Sequence, residues 1–286
     1  MKTTLGIIGQ GFVGTAVNEG LAKHYDIETY DIAKDSTCES LKELDAKSDI
    51  IFVCLPTPMK KDGACHLGII EPVLEELNQL QIFDGMGYAV KTIVVKSTIP
   101  PGTTKQWNEK FKCIDIVFNP EFLTEANSIE DFKNQNRIII GGPRRATTTV
   151  RRIFKKVFPK VPIIKTSSTI AEMVKYFTNC FLATKVSFAN EMNSVCGKLG
   201  IDYDKVIEYA QHDERIGHSH LEVPGPDGKS GFGGSCFPKD ILAMISIGEE
   251  MGMDLNTLQG AWETNTEVRP ERDWEELEGR SVIKEE

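Results

Sequence analysis

Leu5-Gly6-Ile7-Ile8-Gly9-Gln10-Gly11-Phe12-Val13-Gly14 decides the fold. An apolar run breaks at a glycine-rich turn, and a helical stretch opens directly after it. The glycines follow the GxGxxG spacing, which lets backbone N–H groups at a helix N-terminus approach a pyrophosphate. The next strand-like segment, residues 26–30, follows the helical stretch and ends at Asp31, the acid expected at this distance from the turn. A carboxylate there accepts hydrogen bonds from an adenosine ribose and repels a 2′-phosphate, so the pattern points to NAD rather than NADP. A strand–turn–helix without a ligand is the bland alternative. The strand before, the helix after and the acid at the right spacing all oppose it.

Working outward, apolar runs recur at 49–55, 93–96, 114–118 and 137–140, with a last one at 163–165. Helical stretches separate them. Continuous apolar runs are what strands buried on both faces require. The expected fold is α/β, a Rossmann-like doubly wound and mainly parallel sheet. The pattern changes at Ser167-Ser168-Thr169. Thr169 followed by Glu172 reads as a capping box. Residues 170 to about 198 contain no proline and predict one long helix. A second helical pattern covers 204–211, a loop rich in glycine and proline covers 216–234, and helices resume near Pro238 and run to about Glu267. This divides the chain into a dinucleotide-binding domain, 1–167, and an all-helical domain, 168–286.

Composition limits the function classes. The 286 residues suffice for two domains with proper cores. A net charge of −9 repels a phosphate backbone, and no basic stripe is interleaved with aromatics, so nucleic acid is not an expected partner. Arg144, Arg145, Arg151, Arg152, Lys155 and Lys156 form the one basic concentration, read as a solvated helix face. The 7 cysteines show neither CxxC nor metal spacing, and their odd number argues for a reducing compartment. Met1-Lys2 runs straight into a strand without a signal peptide, and no apolar run reaches membrane-spanning length. A cytoplasmic location without membrane attachment is expected. His66, His212, His218 and His220 invite a metal reading, but His218 and His220, two apart in a loop, have no cysteine or acidic partner at metal spacing, so no metal site is expected.

Further stretches align with one family. They are Leu55-Pro56-Thr57-Pro58, Ser97-Thr98-Ile99-Pro100-Pro101-Gly102-Thr103, and Asn119-Pro120-Glu121-Phe122-Leu123-Thr124-Glu125. Next come Ala171-Glu172-Met173-Val174-Lys175-Tyr176-Phe177-Thr178-Asn179 and Gly231-Phe232-Gly233-Gly234-Ser235-Cys236-Phe237-Pro238-Lys239-Asp240. With the glycine turn, they follow the family's order over nearly the whole chain. The sequence resembles the UDP-glucose/GDP-mannose dehydrogenases, which oxidise a primary alcohol of a nucleotide sugar twice, through an aldehyde, to a carboxylate.

The second oxidation explains a cysteine. Hydride leaves readily from a thiohemiacetal, and the resulting thioester can be hydrolysed. Cys236 lies between Gly234 and Pro238, where a helix should begin. A helix N-terminus lowers a thiol pKa, and Lys239 acts in the same direction. The other six cysteines read as inert buried thiols. The resemblance gives Asp240 the role of moving the alcohol proton through a water held by Thr98. Lys175 and Asn179, spaced i, i+4, would stabilise a developing oxyanion; an exposed polar face is their alternative. Glu121 would assist thioester hydrolysis and Glu125 would lie beside the cofactor, unless both are surface acids. The resemblance places Gly9, Gly11, Phe12, Val13, Gly14, Asp31, Lys34, Leu55, Thr57, Pro58, Ser97, Thr98, Glu125 and Lys239 at NAD. It places Glu121, Phe122, Leu123, Lys175, Asn179, His218, His220, Phe232, Gly233 and Gly234 at the sugar nucleotide. Arg215 matches an arginine that reaches the sugar from a neighbouring subunit, with a loop salt bridge as its alternative.

Apolar residues on the long helix, Met173, Val174, Phe177, Phe181 and Phe188, exceed what a small helical domain needs, and predict a homodimer through the helix near 169–198. Relatives usually carry a third domain for the nucleotide of the substrate. Residues 281–283 read as the start of its first strand, which leaves three alternatives: a naturally short enzyme, half of a split enzyme, or a chain cut before that domain. Two other functions compete with the leading one. One is a two-electron hydroxyacid dehydrogenase of the 6-phosphogluconate type, and the other is a non-catalytic NAD-binding subunit.

Overall fold

A computed structural model describes residues 3–83 and 90–284. Two compact units emerge. The first takes residues up to Thr57 together with Leu67–Lys175, and the second takes Pro58–His66 together with residues from Tyr176 onward.

The first unit is a seven-stranded sheet. Its strands are β1 (Thr4–Ile8), β2 (Asp26–Tyr30), β3 (Ile50–Val53), β4 (Lys91–Val95), β5 (Ile114–Phe118), β6 (Ile138–Gly141) and β7 (Ile163–Thr166). The order is β2-β1-β3-β4-β5-β6-β7. All neighbours are parallel except β5 and β6, which meet antiparallel at Phe118 and Gly141. Helices α1 (Phe12–Leu21), α2 (Leu41–Lys47), α3 (Ile70–Phe83), α4 (Thr103–Lys110), α5 (Ser128–Lys133) and α6 (Arg144–Val157) fill the connections.

Period-2 alternation divides each strand between two cores. Ile8, Ile51, Val53, Ile93, Val95, Ile116 and Phe118 pack under α2, α3 and α4 residues such as Leu44, Leu74 and Trp107. Leu5, Ile7, Phe52, Val94 and Ile140 pack with α1, α5 and α6 residues such as Val17, Phe132 and Phe154. Each such side chain contributes roughly 1.5–3 kcal/mol of burial. The six basic residues of α6 are all exposed, opposite buried Ala146, Val150 and Phe154, as a solvated helix face requires.

Helix α7 (Ser168–Leu199) has 32 residues and is about 48 Å long. Its first turns belong to the first unit and the remainder to the second. The capping box expected at Thr169 is corrected. The helix begins at Ser168, and Ser167 Oγ caps it by accepting from Ile170 N at 3.3 Å. Glu172 turns away from the local backbone. It accepts from Gly102 N at 2.6 Å and Thr104 N at 2.8 Å, capping the first turn of α4. That helix starts after left-handed Gly102 and lacks a side-chain cap of its own.

The second unit is helical: the rest of α7, α8 (Tyr203–Ala210), α9 (Phe237–Glu250) and α10 (Asn256–Val268), with a final 3-10 turn at Asp273–Glu276. Cys180, Ala183, Phe232, Ile241, Ile245 and Ala261 form its main core. Residues 281–283, expected as a strand, make isolated bridges: Val282 sits beside Met59 and Glu278.

Candidate active site

The glycine turn follows β1, at the switch point where β1 lies between β2 and β3. In open α/β sheets this point, at the carboxyl ends of the strands, is where ligands bind. Gly9 has φ +88°, and a Cβ on it would meet the Cys54 carbonyl oxygen at 2.6 Å. A Cβ on Gly14 would fall 1.8 Å from the Gly9 oxygen. Gly11 is different, because a Cβ there would meet nothing within 4 Å. Gly9 and Gly14 therefore serve the turn itself, while Gly11 keeps the surface over it bare. Gly11 caps α1 without a side chain, and the first turn of α1, which includes Phe12 and Val13, carries no acid. A helix N-terminus of this kind fits a pyrophosphate.

Asp31 closes this cradle. Its carboxylate accepts from Gln10 N at 2.6 Å, Ala33 N at 2.8 Å and Lys34 N at 3.1 Å, and Lys34 Nζ donates to the Gln10 oxygen at 2.6 Å. Asp31 and Lys34 thus sit against the glycine turn, where a ribose would follow a pyrophosphate. At the ends of β3 and β4, Ser97 Oγ donates to the Leu55 oxygen at 2.6 Å and Thr57 Oγ1 to the Thr98 oxygen at 2.7 Å. All four residues were expected near the cofactor. The residues present fit NAD.

After β5 comes a buried ion pair. Glu121 is 7% exposed and Lys175 3%. Lys175 Nζ donates to Glu121 Oε1 and to the Glu121 carbonyl oxygen, both at 2.8 Å, and Leu123 N donates to Glu121 Oε2 at 2.7 Å. Burial works to raise the Glu121 pKa. The Lys175 ammonium and the Leu123 amide outweigh it, and the carboxyl lies below its ordinary value. Phe122 packs beneath this pair, its ring 5.7 Å from Lys175 Nζ and 4.1 Å from the Arg137 guanidinium. Nearby Lys96 is also buried and donates to Asn119 Oδ1 at 2.7 Å.

The second unit carries its own polar cluster. Asn179 Nδ2 donates to Asp240 Oδ2 at 2.6 Å, and Lys239 Nζ to Asp240 Oδ1 at 2.5 Å. All three residues are largely shielded from solvent. Burial acts to lower the Lys239 pKa, but Asp240, Cys236 and Cys65 raise it well above its ordinary value. Cys236 is the N-cap residue of α9, with Pro238 in the first turn and Gly234 at φ +71° before it. Asp240 N donates to the Cys236 oxygen at 3.0 Å, which places thiol and carboxylate one turn apart.

Three residues of this unit escaped the sequence reading. Asn265, fully buried, accepts from Phe232 N at 2.6 Å and donates to the Phe232 oxygen at 3.0 Å. Asn190 Oδ1 accepts from Gly231 N at 3.2 Å. Arg269 pairs with Asp227 and Asp273 at 2.7 Å and donates to the Ser230 oxygen at 3.3 Å. Together they clamp the backbone that delivers Cys236. A Cβ on Gly233 would strike the Arg269 guanidinium at 2.4 Å. Their one sequence signal is a buried-polar requirement, invisible before the fold is known.

Residues 34–160 match the UDP-glucose/GDP-mannose dehydrogenase family, NAD binding domain, and residues 169–267 match the same family's central domain. The UDP-glucose 6-dehydrogenase AglM of Haloferax volcanii is 31% identical, over 94% of this chain and 70% of its own length. The chain belongs to the UDP-glucose/GDP-mannose dehydrogenase family. The UDP-glucose 6-dehydrogenase TuaD of Bacillus subtilis is 37% identical over 78% of this chain but 47% of its own length, so the chain spans about half of that relative. A UDP-glucose dehydrogenase structure from Pyrobaculum islandicum superposes with a TM-score of 0.84 at 30% identity, covering 93% of this chain and 68% of the other.

Against the family pattern, the remaining residues fall as follows. Lys175 and Asn179 are buried, so neither belongs to an exposed polar face. Glu125 is exposed, unlike Glu121. Arg215 is exposed and ion-paired with Asp213, the arrangement of a loop salt bridge. His218 is exposed, with Nδ1 3.4 Å from Gln211 Oε1. His220 adopts φ +65°, and its ring lies tilted against the Phe237 ring with centroids 5.6 Å apart. Leu123 and Val174 pack against the two sheet cores, which removes Val174 from the surplus apolar surface of α7. Pro58 begins the segment that joins the second unit. Burial pushes the Cys54 thiol up to about 12 and the Cys180 thiol higher, as inert thiols require. Among the described residues, no group of His, Cys, Asp and Glu could hold a metal ion, and no helix is long and apolar enough to cross a membrane.

Proposed function

We propose that the chain oxidises the primary alcohol of a nucleotide sugar to a carboxylate in two NAD-dependent steps, with UDP-glucose as the preferred substrate. The observation that carries this reading is the N-terminus of α9. There Cys236 caps the helix directly ahead of the buried Lys239–Asp240–Asn179 cluster. A two-electron dehydrogenase has no need of that thiol.

NAD, when bound, accepts the hydride lost in each oxidation. Asp240 takes the alcohol proton as the first hydride leaves, giving the aldehyde, and Thr98 positions the water that relays it. Cys236 Sγ then bonds to the aldehyde carbon to form a thiohemiacetal, whose oxygen is held by Lys175 and Asn179, one turn apart on α7. Loss of the second hydride and the hydroxyl proton gives a thioester. Glu121, held ionised by Lys175, accepts a proton from the attacking water. The carboxylate departs and the Cys236 thiol is restored. Phe232, Gly233 and Gly234 line the approach to the thiol, with His218, His220 and a partner subunit's counterpart of Arg215 toward the sugar.

Two features belong to the same reading. Met173, Phe177, Phe181 and Phe188 of α7 are 41–67% exposed, and the Phe177 and Phe181 rings stack at 6.3 Å, so we assign this face to a second copy of the chain. A reactive thiol and NAD suit the reducing cytoplasm.

A panel of sugar nucleotides with NAD, read at the NADH absorbance, tests the proposal. UDP-glucose should release two NADH per molecule consumed, and Cys236→Ser should stall before completion. One NADH per molecule, unaffected by Cys236→Ser, contradicts it.

A further inference from the structure

Lys96 follows β4 immediately before Ser97 and Thr98, and no step above uses it. It is 4% exposed. A buried ammonium needs partners, and Lys96 has few. Its Nζ donates to Asn119 Oδ1 at 2.7 Å and to the Asn119 carbonyl oxygen at 3.2 Å. Asn119 is anchored in turn by donating to the Ile139 oxygen at 2.7 Å. The Phe132 ring lies 6.0 Å away. Among the described residues Lys96 makes no ion pair, so its charge has no contact counterion.

Three titratable groups act on it: Cys54 after β3, Glu121 after β5 and Lys175 on α7. Cys54 is neutral, since burial pushes its thiol to about 12. Glu121 is the one carboxylate among them, and it is already bound to Lys175 at 2.8 Å. A single carboxylate therefore faces two ammonium groups. Hydrophobic packing would have been cheaper at this position, because a lone buried charge is destabilising. The excess positive charge acts on Lys175, which would help carry the oxyanion.

We infer that Lys96 is a positioning residue for the reaction: it locks the Asn119-Pro120-Glu121 turn through Asn119 and adds positive charge behind the Glu121–Lys175 pair. The inference rests on the function proposed above. Negative charge developing on an oxygen held by Lys175 is then stabilised by a second, fixed ammonium that never touches the substrate. Burial lowers the Lys96 pKa to about 8, with Cys54 and Glu121 opposing and Lys175 assisting that shift. The added charge is present below that pH and is lost above it.

Two readouts test this on the full chain. The first needs no turnover: carbon-13 NMR titration of the lysine ε-carbons and glutamate carboxyls. One lysine, absent from the spectrum of Lys96→Met, should titrate near 8, and the Glu121 carboxyl should move upward in that variant. The second is the pH profile of kcat and KM with UDP-glucose and NAD. The unsubstituted protein should lose kcat along an alkaline limb near pH 8. Lys96→Arg, which stays protonated, should keep most of the rate and lose the limb. Lys96→Met should lower kcat on the order of tenfold near neutrality with little change in KM. If Lys96→Met fails to fold, Lys96→Arg and the titration of the unsubstituted protein decide. A Lys96 titration at the ordinary lysine value, or a limb near pH 8 that persists in Lys96→Arg, overturns the inference. A protein with the expected titration but no turnover on any sugar nucleotide refutes the function instead.

Discussion

Replacing Lys175 by methionine should strand a buried carboxylate. At 2.8 Å the Lys175–Glu121 attraction is about 6 kcal/mol at an effective dielectric constant of about 20, before the desolvation of both groups offsets much of it. Removing one partner leaves Glu121, 7% exposed, with the Leu123 amide as its one remaining partner among these contacts. The expected loss of stability is roughly 3–5 kcal/mol near neutral pH. Adding Glu121→Gln removes the stranded charge, and the double variant should recover about 2 kcal/mol or more of that loss. The pH dependence follows from the native shift. The folded Glu121 pKa lies below its unfolded value, so its contribution is present above about 4.3 and is lost as pH falls through the folded value. In Lys175→Met the contacting ammonium is gone and the one left, Lys96, makes no ion pair with Glu121, so burial raises the carboxyl and the penalty should shrink from about pH 7 toward about pH 5. Urea unfolding followed by far-ultraviolet circular dichroism, on all four proteins of the cycle at both pH values, measures this. A single-variant loss under about 1 kcal/mol, or a double variant no more stable than Lys175→Met, refutes the reasoning.

Three further outcomes are expected. Gly11→Ala should leave the melting temperature unchanged, since a Cβ there meets nothing within 4 Å, yet calorimetry should show NAD binding weakened on the order of tenfold as the methyl group fills the cradle. Asn265→Ala strands the Phe232 N–H and carbonyl at about 1–3 kcal/mol each; calorimetric melting should show the loss, and peptide mapping should show altered alkylation of Cys236. Phe177→Glu with Phe181→Glu should convert a sedimenting dimer into a monomer, and a monomer before substitution rules out the α7 interface.

Much of the sheet was legible because strands buried on both faces read as continuous apolar runs. All seven appear within a few residues of where the sequence places them. The reversal of β6 against β5 was not legible, since local pattern carries no direction. Glu172 shows a second limit. A Thr-x-x-Glu spacing looks local, but the carboxylate finds its partners 68 and 70 residues away on α4. Val174 shows a third: helical periodicity marks it as apolar, and only packing assigns it to the sheet core rather than to a dimer face. Residues 58–66 lie beside strand β3 in sequence yet join the helical unit, where Met59 pairs with the backbone of Ser281 and Ile283. In the candidate site, thiol, helix start and glycine turn were readable as residue types at fixed spacing. Lys96, Asn190, Asn265 and Arg269 were not, because a buried polar residue is identified by its partners.

The central claim is that Cys236 carries the substrate through the second oxidation. The most direct measurement is peptide mass spectrometry of Glu121→Gln quenched during reaction with UDP-glucose and NAD. With thioester hydrolysis impaired, the peptide containing Cys236 should carry the mass of a UDP-glucuronyl acyl group, with two NADH formed for each labelled thiol. NADH production with an unmodified Cys236 peptide at every time point would contradict the account.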